Sequence, residues 1–290
     1  LVGSVALALI LFDGGLRNRF QSIRAVLAPS MVLATIGVLL TALITAPVAR
    51  YALDLNWVEA LLVGAVVAST DAAAVFLLVH AQGLRLRPRV GATLEVESGT
   101  NDPFAVFLTL MLVELISSGA SSFWHVAMEF AQEAVLGAII GVAGGRLVVL
   151  ALNRVALPQG LHAPFVATAA LVIFGGAQFA HASGFLAAYL AGIIIGNQPT
   201  RAHNSVVTFL DAATWLAQIV MFVMLGLLVS PQRLLSSVVP AVAVALVLML
   251  VARPLAVFLC LAPFRFNWRE KIFMAWTGLR GAVAIFLASI

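Results

Sequence analysis

The chain has 290 residues, of which 63% are hydrophobic and only 10% charged, with a mean hydropathy of +1.11. Soluble domains carry about 25% charged residues, so water cannot be the solvent for most of this surface, and lipid takes its place. The net charge is only +4 despite a pI near 10.2; nucleic acid is therefore not an expected partner, and the single cysteine, Cys260, excludes a disulfide framework or a cysteine metal cluster.

Backbone groups in hydrocarbon must pair internally, which leaves helices or a closed barrel. The long unbroken apolar runs favour helices, because barrel strands alternate over short segments. At roughly 20 residues per crossing, the chain reads as an all-α polytopic membrane protein with about ten transmembrane helices. They are expected near 1–16, 29–50, 57–80, 91–117, 130–152, 163–181, 184–198, 206–229, 236–262 and 270–290. The loops between them are short, so residues 1–290 are expected to form one transmembrane domain. Leu1 and Ile290 both fall inside apolar runs, which is the pattern of a fragment of a longer protein, truncated at both ends.

Charge placement orients the spans. Arg17, Arg19, Arg24, Arg85, Arg87, Arg89, Arg146, Arg154, Arg201, Arg265, Arg269 and Lys271 follow odd-numbered spans, whereas only Arg50 and Arg233 follow even-numbered ones. Basic loops stay cytoplasmic, so odd spans run from outside to inside.

Four ionisable residues sit where a charge costs about 2.5 to 3.5 kcal/mol to insert. Asp71 is about 21 Å into span 3, Asp102 about 17 Å into span 4 and Arg280 about 15 Å into span 10, at 1.5 Å per helical residue. Glu97 lies one turn and a half before Asp102. Three spans thus bring charge to a similar depth, which points to one polar site. In span 4, Ser98 and Asp102 share one face and Glu97 and Asn101 another, because residues four apart stack on a helix. Asp102 with Ser98 is expected to face an ion pathway, and Glu97 to form a structural ion pair with Arg280. Arg253 has two readings: snorkelling to the cytoplasmic face or pairing with an acid.

Span 3 carries Ser69-Thr70-Asp71 and span 10 carries Thr277-Gly278-Leu279-Arg280-Gly281. Both are poor helix-forming segments at mid-membrane, and broken helices there expose backbone carbonyls and half-helix ends that can coordinate a cation. The two spans run in opposite directions, as an inverted repeat requires. A carboxylate held partly out of water takes up a proton readily, so a proton and an alkali cation would compete for it. Thr70, Ser98 and Asn101 add hard oxygen donors suited to Na⁺ or K⁺, and transition-metal ligands are lacking.

Other features have plainer readings. Asp13 precedes Arg17 by four residues and fits an ordinary interfacial pair as well as a functional acid. His80, His162, His181 and His203 read as interfacial residues. The Gly141–Gly145 spacing reads as close helix packing.

Glu97-Ser98-Gly99-Thr100-Asn101-Asp102-Pro103 resembles the signature of the CPA1 monovalent cation:proton antiporters, relatives of the sodium/proton exchangers. Thr70-Asp71, Gly278-Leu279-Arg280-Gly281 and Phe12-Asp13-Gly14-Gly15-Leu16 resemble that family's other motifs, in the same order, so the resemblance covers essentially the whole chain. The run Glu95 to Thr109 is most similar to the bacterial potassium/proton subgroup linked to cell-volume regulation. The resemblance implies an inverted-repeat antiporter fold with broken crossing helices, in the bacterial inner membrane, as a homodimer embedded in lipid and without a cofactor. It implies exchange of K⁺ or Na⁺ for H⁺ by alternating access and no enzymatic activity. Asp102 would bind the ion and proton, with Asp71, Thr70 and Ser98 as further cation ligands. Asn101 would keep the exchange electroneutral, Glu97 and Arg280 would be the structural pair, and Asp13 an accessory acid. Two other functions compete: an intramembrane aspartyl protease built on Asp71 and Asp102, which lacks the Gly-x-Gly-Asp pattern, and a cation channel or gated efflux system.

Overall fold

The computed structural model describes residues 2–18, 26–81, 86–117, 123–158, 160–200, 203–228 and 231–289. Arg19, Arg24, Arg85 and Arg201 lie outside the described residues, as do the side chains of Arg233 and His80. Among the described residues there are helices and turns but no strands. The helices are α1 (Val2–Arg17), α2 (Leu27–Leu53), α3 (Trp57–Val66), α4 (Ala72–Ala81), α5 (Pro88–Ser117) and α6 (Phe123–Arg154), followed by α7 (His162–Phe179), α8 (Gly184–Gly196), α9 (His203–Leu228), α10 (residues 231–260), α11 (Trp268–Trp276) and α12 (Ala282–Leu287).

The protein is a multi-pass membrane protein. Six helices are long and apolar enough to cross a membrane unaided: Leu27–Leu53, Pro88–Ser117, Trp124–Arg154, His162–Phe179, His203–Met224 and Ser237–Cys260. The other four expected spans are built differently. Span 1 is the 16-residue α1 and span 7 the 13-residue α8, while spans 3 and 10 are each two short helices joined by a non-helical segment. Many large apolar side chains are exposed, among them Val135, Ile139, Leu147, Leu216, Ile219 and Leu250, as a lipid-facing surface requires.

The chain forms two compact units. The first comprises residues 1–21 and 127–224, and so holds α1, α7, α8 and most of α6 and α9. Its core gathers Phe12, Leu16, Leu152, Val166, Ala170, Ala191, Ile195 and Leu210. Small residues let backbones meet: a side chain at Gly15 would overlap the Tyr189 carbonyl, and one at Gly192 the Phe12 carbonyl. Along α6, a Cβ on Gly141 would stand 2.5 Å from the Ala187 carbonyl oxygen and one on Gly145 3.0 Å from Ala191 Cα, so the glycine spacing serves close helix packing, as expected. Asn18 Nδ2 donates to the Tyr189 hydroxyl at 2.9 Å, securing the end of α1 on α8.

The second unit comprises residues 22–126 and 225–290. It contains the same sequence of elements twice. An apolar helix with a π turn (α2, at Leu33–Gly37) is followed by the broken pair α3/α4, and a second such helix (α10, at Leu248–Ala252) by the broken pair α11/α12. Each broken pair opens on the pattern Asn-Trp-x-Glu, in which the glutamate caps the backbone N–H of the asparagine: Glu59 Oε2 accepts from Asn56 at 2.8 Å and Glu270 Oε2 from Asn267 at 2.9 Å. These are capping boxes.

The breaks fall where the residues disfavour a helix. Ser69, Thr70 and Asp71 offer side chains that compete for backbone hydrogen bonds, and Gly278 and Gly281 contribute high chain entropy. A break inside a membrane must have its freed backbone groups satisfied. Here the partners come from the other break and from α5.

Candidate functional site

The two breaks meet inside the second unit. The Asp71 backbone N–H donates to the Leu279 carbonyl at 2.7 Å, so one break is tied directly to the other. Helix α5 then holds the first break through successive side chains. Ser69 Oγ donates to Asp102 Oδ1 at 2.5 Å. Asn101 Nδ2 donates to Thr70 Oγ1 at 2.6 Å. Ser98 Oγ accepts from the backbone N–H of Ala72, the first residue of α4, at 3.1 Å. Ser98 and Asp102 thus work from one face of α5 and Asn101 from the adjoining one, as the i,i+4 spacing predicted.

Arg280 sits at the carbonyl ends of two half-helices. Its Nε donates to the Val67 carbonyl at 2.7 Å, at the end of α3, and its Nη1 donates to the Gly278 carbonyl, just past the end of α11. A helix C-terminus carries a partial negative charge of about half an elementary unit, so a single guanidinium neutralises both ends. Asp71 occupies the opposite pole. It immediately precedes α4 and packs against Gly281, which precedes α12; a Cβ on Gly281 would lie 2.7 Å from Asp71 Oδ2. The crossing therefore sorts charge, with the cation at carbonyl ends and the carboxylate at amide ends. Asp102 is within electrostatic reach of Asp71, and it keeps some accessible surface, whereas Asn101 and Glu97 are fully buried.

One expected pairing is corrected. Glu97 does not bond Arg280; its Oε1 meets Arg253 Nη1 at 2.6 Å. Arg253 starts the segment of α10 that follows the π turn, and its Nη2 also reaches the Met274 carbonyl of α11 at 3.5 Å. Both partners are shielded, with side-chain exposures of 4% for Arg253 and 1% for Glu97, so this pair is internal to the unit. Of the two readings of Arg253, pairing with an acid is the one found. The guanidinium of Arg280 is instead committed to the backbone.

Asp13 belongs to the first unit. It forms the i,i+4 pair expected with Arg17, Oδ2 to Nε at 3.0 Å, and Arg17 also bonds Asp211 of α9. Two contacts were absent from the sequence reading, Ser69 on Asp102 and Asp211 on Arg17, and a third, Arg253 with an acid, was left there without its partner Glu97.

The site residues present hard oxygen atoms and carboxylates around a break in a membrane-embedded helix, a chemistry suited to an alkali cation or a proton as cargo. Comparison with known proteins agrees with that. The profile of the family described as sodium/hydrogen exchanger, transmembrane, matches residues 1–290. A K(+)/H(+) antiporter NhaP2 of Shewanella sp. strain ANA-3 is 46% identical over 291 residues, covering 99% of this chain and 50% of that protein. The K(+)/H(+) antiporter NhaP of Alkalimonas amylolytica is 43% identical over 288 residues, again covering 99% and 50%. The present chain thus spans about half the length of these curated relatives. Among solved structures, the sodium proton antiporter MjNhaP1 of Methanocaldococcus jannaschii superposes with a TM-score of 0.88 at 27% identity, covering 99% of this chain and 71% of that one.

Proposed function

Because this chain belongs to the family of transmembrane sodium/hydrogen exchangers, we propose that it is the transmembrane domain of a secondary active transporter that exchanges a monovalent cation for H⁺ across the bacterial inner membrane. The cation is K⁺, a choice that rests on the K(+)/H(+) antiporters at 43% and 46% identity; the probable Na(+)/H(+) antiporter 2 of M. jannaschii is more distant, at 29%. The protein works as a homodimer in the lipid bilayer.

The observation that carries the proposal is the position of Asp102, an acid with some accessible surface beside the crossing of two broken helices, hydrogen-bonded to Ser69 and within electrostatic reach of Asp71. Cation and proton compete for the Asp102 carboxylate, and exposure of that one site to each side of the membrane in turn is sufficient to couple their movements. Asp71, Thr70 and Ser98 supply further oxygen atoms to the cation. Asn101 adds no charge beside Asp102, so one cation moves against one proton and the exchange is electroneutral. Arg280 and the Glu97–Arg253 pair hold the framework against which Asp102 works. Asp13 remains an accessory acid.

The test is reconstitution in proteoliposomes carrying a pH-sensitive dye, with K⁺, Na⁺ and Li⁺ titrated across pH. The expected result is cation-driven proton movement that leaves the membrane potential unchanged and is abolished by Asp102→Ala. Undiminished proton movement in Asp102→Ala, or ion flux with no proton coupling, overturns the proposal. A response to Na⁺ and Li⁺ alone overturns the choice of K⁺.

A further inference from the structure

Asp102 accepts one side-chain hydrogen bond among the described residues, and it comes from Ser69. Ser69 is 2% exposed and lies in the non-helical stretch between α3 and α4. Its neighbour Thr70 is turned the other way, onto Asn101. The two hydroxyls of the break are thus divided between a charged acid and a neutral amide.

A serine hydroxyl has one proton to donate. Here that proton is spent on Oδ1 of the acid that takes the cargo. A donor on one oxygen draws carboxylate charge toward itself and occupies one lone-pair direction, which lowers the field that the carboxylate presents to the cation. Field strength decides between alkali cations of different size: a strong anionic field repays the larger dehydration cost of the small ion, and a weak field favours the large one. The number and field strength of oxygen ligands are one of two accounts of the same choice in channels, the other being cavity size.

We propose that Ser69 is a specificity-determining residue of the exchange site, which through its hydrogen bond to Asp102 Oδ1 tilts cation preference toward K⁺ over Na⁺. This inference rests on the proposed exchange at Asp102. It adds a role that neither the acid nor its amide neighbour supplies. Ser69 acts through Asp102, so its removal changes which cation is preferred before it changes whether exchange occurs.

The test compares the wild type, Ser69→Ala, Ser69→Thr and Asp102→Asn in proteoliposomes, with KM and maximal rate for K⁺ and for Na⁺ measured separately. Loss of a hydrogen bond to a charged group changes an equilibrium by roughly tenfold or more. Part of that is shared by both cations, so the ratio of KM for K⁺ to KM for Na⁺ is expected to rise by about threefold to tenfold in Ser69→Ala. Maximal rates should change less. Ser69→Thr keeps the hydroxyl and should keep the wild-type ratio. A purely structural role for Ser69 would weaken both cations equally and leave the ratio in place, and an unchanged ratio in a folded Ser69→Ala protein overturns the inference. So does a wild type that responds to Na⁺ but not to K⁺, because no K⁺ preference is then left to set. Exchange that persists in Asp102→Asn overturns the functional proposal itself, whereas exchange that needs Asp102 but ignores Ser69 overturns only the role of Ser69.

Discussion

Arg253 Nη1 lies 2.6 Å from Glu97 Oε1, joining α10 to α5 across 156 residues of sequence in a pair almost without solvent contact. Breaking a buried ion pair from one side costs about 3–5 kcal/mol, because a charge is left without a partner. Glu97→Gln and Arg253→Met should each lower the unfolding temperature in detergent sharply. The reversal Glu97→Arg with Arg253→Glu should recover part of that loss, and the reversal of Glu97 with Arg280 should not. If the Arg280 exchange rescues and the Arg253 exchange fails, the assignment of the pair is wrong.

Arg280 serves two carbonyls at once, those of Val67 and Gly278. A guanidinium reaches the two carbonyls from separate nitrogens of a rigid planar fork, whereas lysine must serve both from a single nitrogen on a flexible stem. Arg280→Lys should therefore keep the charge yet lose the geometry of the crossing. Displacement of a site by about 1 Å can cost on the order of 100-fold in rate, so exchange in proteoliposomes should fall by at least roughly tenfold. Near-normal exchange by Arg280→Lys would mean that charge alone suffices.

Much of this arrangement could be read in advance from local rules. The apolar runs locate the helices, and Ser69-Thr70-Asp71 and the glycines around Arg280 locate the breaks, because both signals depend on short windows of sequence. The two faces of α5 follow from helical periodicity alone. The partner of Glu97 does not, since spacing within span 4 says nothing about which of two buried arginines, Arg253 or Arg280, comes near. Ser69 was passed over for a related reason. Ser69 and Thr70 lie outside any helix, where helical periodicity gives no facing, and the fold takes them to Asp102 and Asn101 respectively. One signal was legible and unused: Asn56-Trp57-Val58-Glu59 and Asn267-Trp268-Arg269-Glu270 share a pattern that marks the start of both broken helices.

Gly281 leaves room for the Asp71 side chain. A Cβ there would fall 2.7 Å from Asp71 Oδ2 and 2.8 Å from Asp71 Cβ, so Gly281→Ala must push the acid off its position at the amide ends of the crossing. Gly175, in α7, has nothing within 4 Å of its would-be Cβ and gives the contrast. Exchange should drop by roughly tenfold or more in Gly281→Ala. Gly175→Ala should leave exchange intact and, as a glycine-to-alanine change within a helix, add about 0.5–1 kcal/mol of stability. Equal activities in the two variants would show that the position of Asp71 is not critical.

Arg17 holds two carboxylates of the first unit that differ in their need for it. The Asp13 side chain is 6% exposed and that of Asp211 is 42% exposed. Water can solvate Asp211 if Arg17 is removed, but it can hardly reach Asp13. Arg17→Met should therefore destabilise the protein by about 1–3 kcal/mol, the cost of leaving a buried polar group unsatisfied, while Asp211→Asn should cost less than about 1 kcal/mol, as for other exposed ion pairs. Adding Asp13→Asn to Arg17→Met removes the stranded charge and should restore most of the loss, a non-additivity that thermal unfolding in detergent can measure. A loss in Asp211→Asn as large as that in Arg17→Met would mean that Asp211, and not Asp13, is the partner on which the arginine depends.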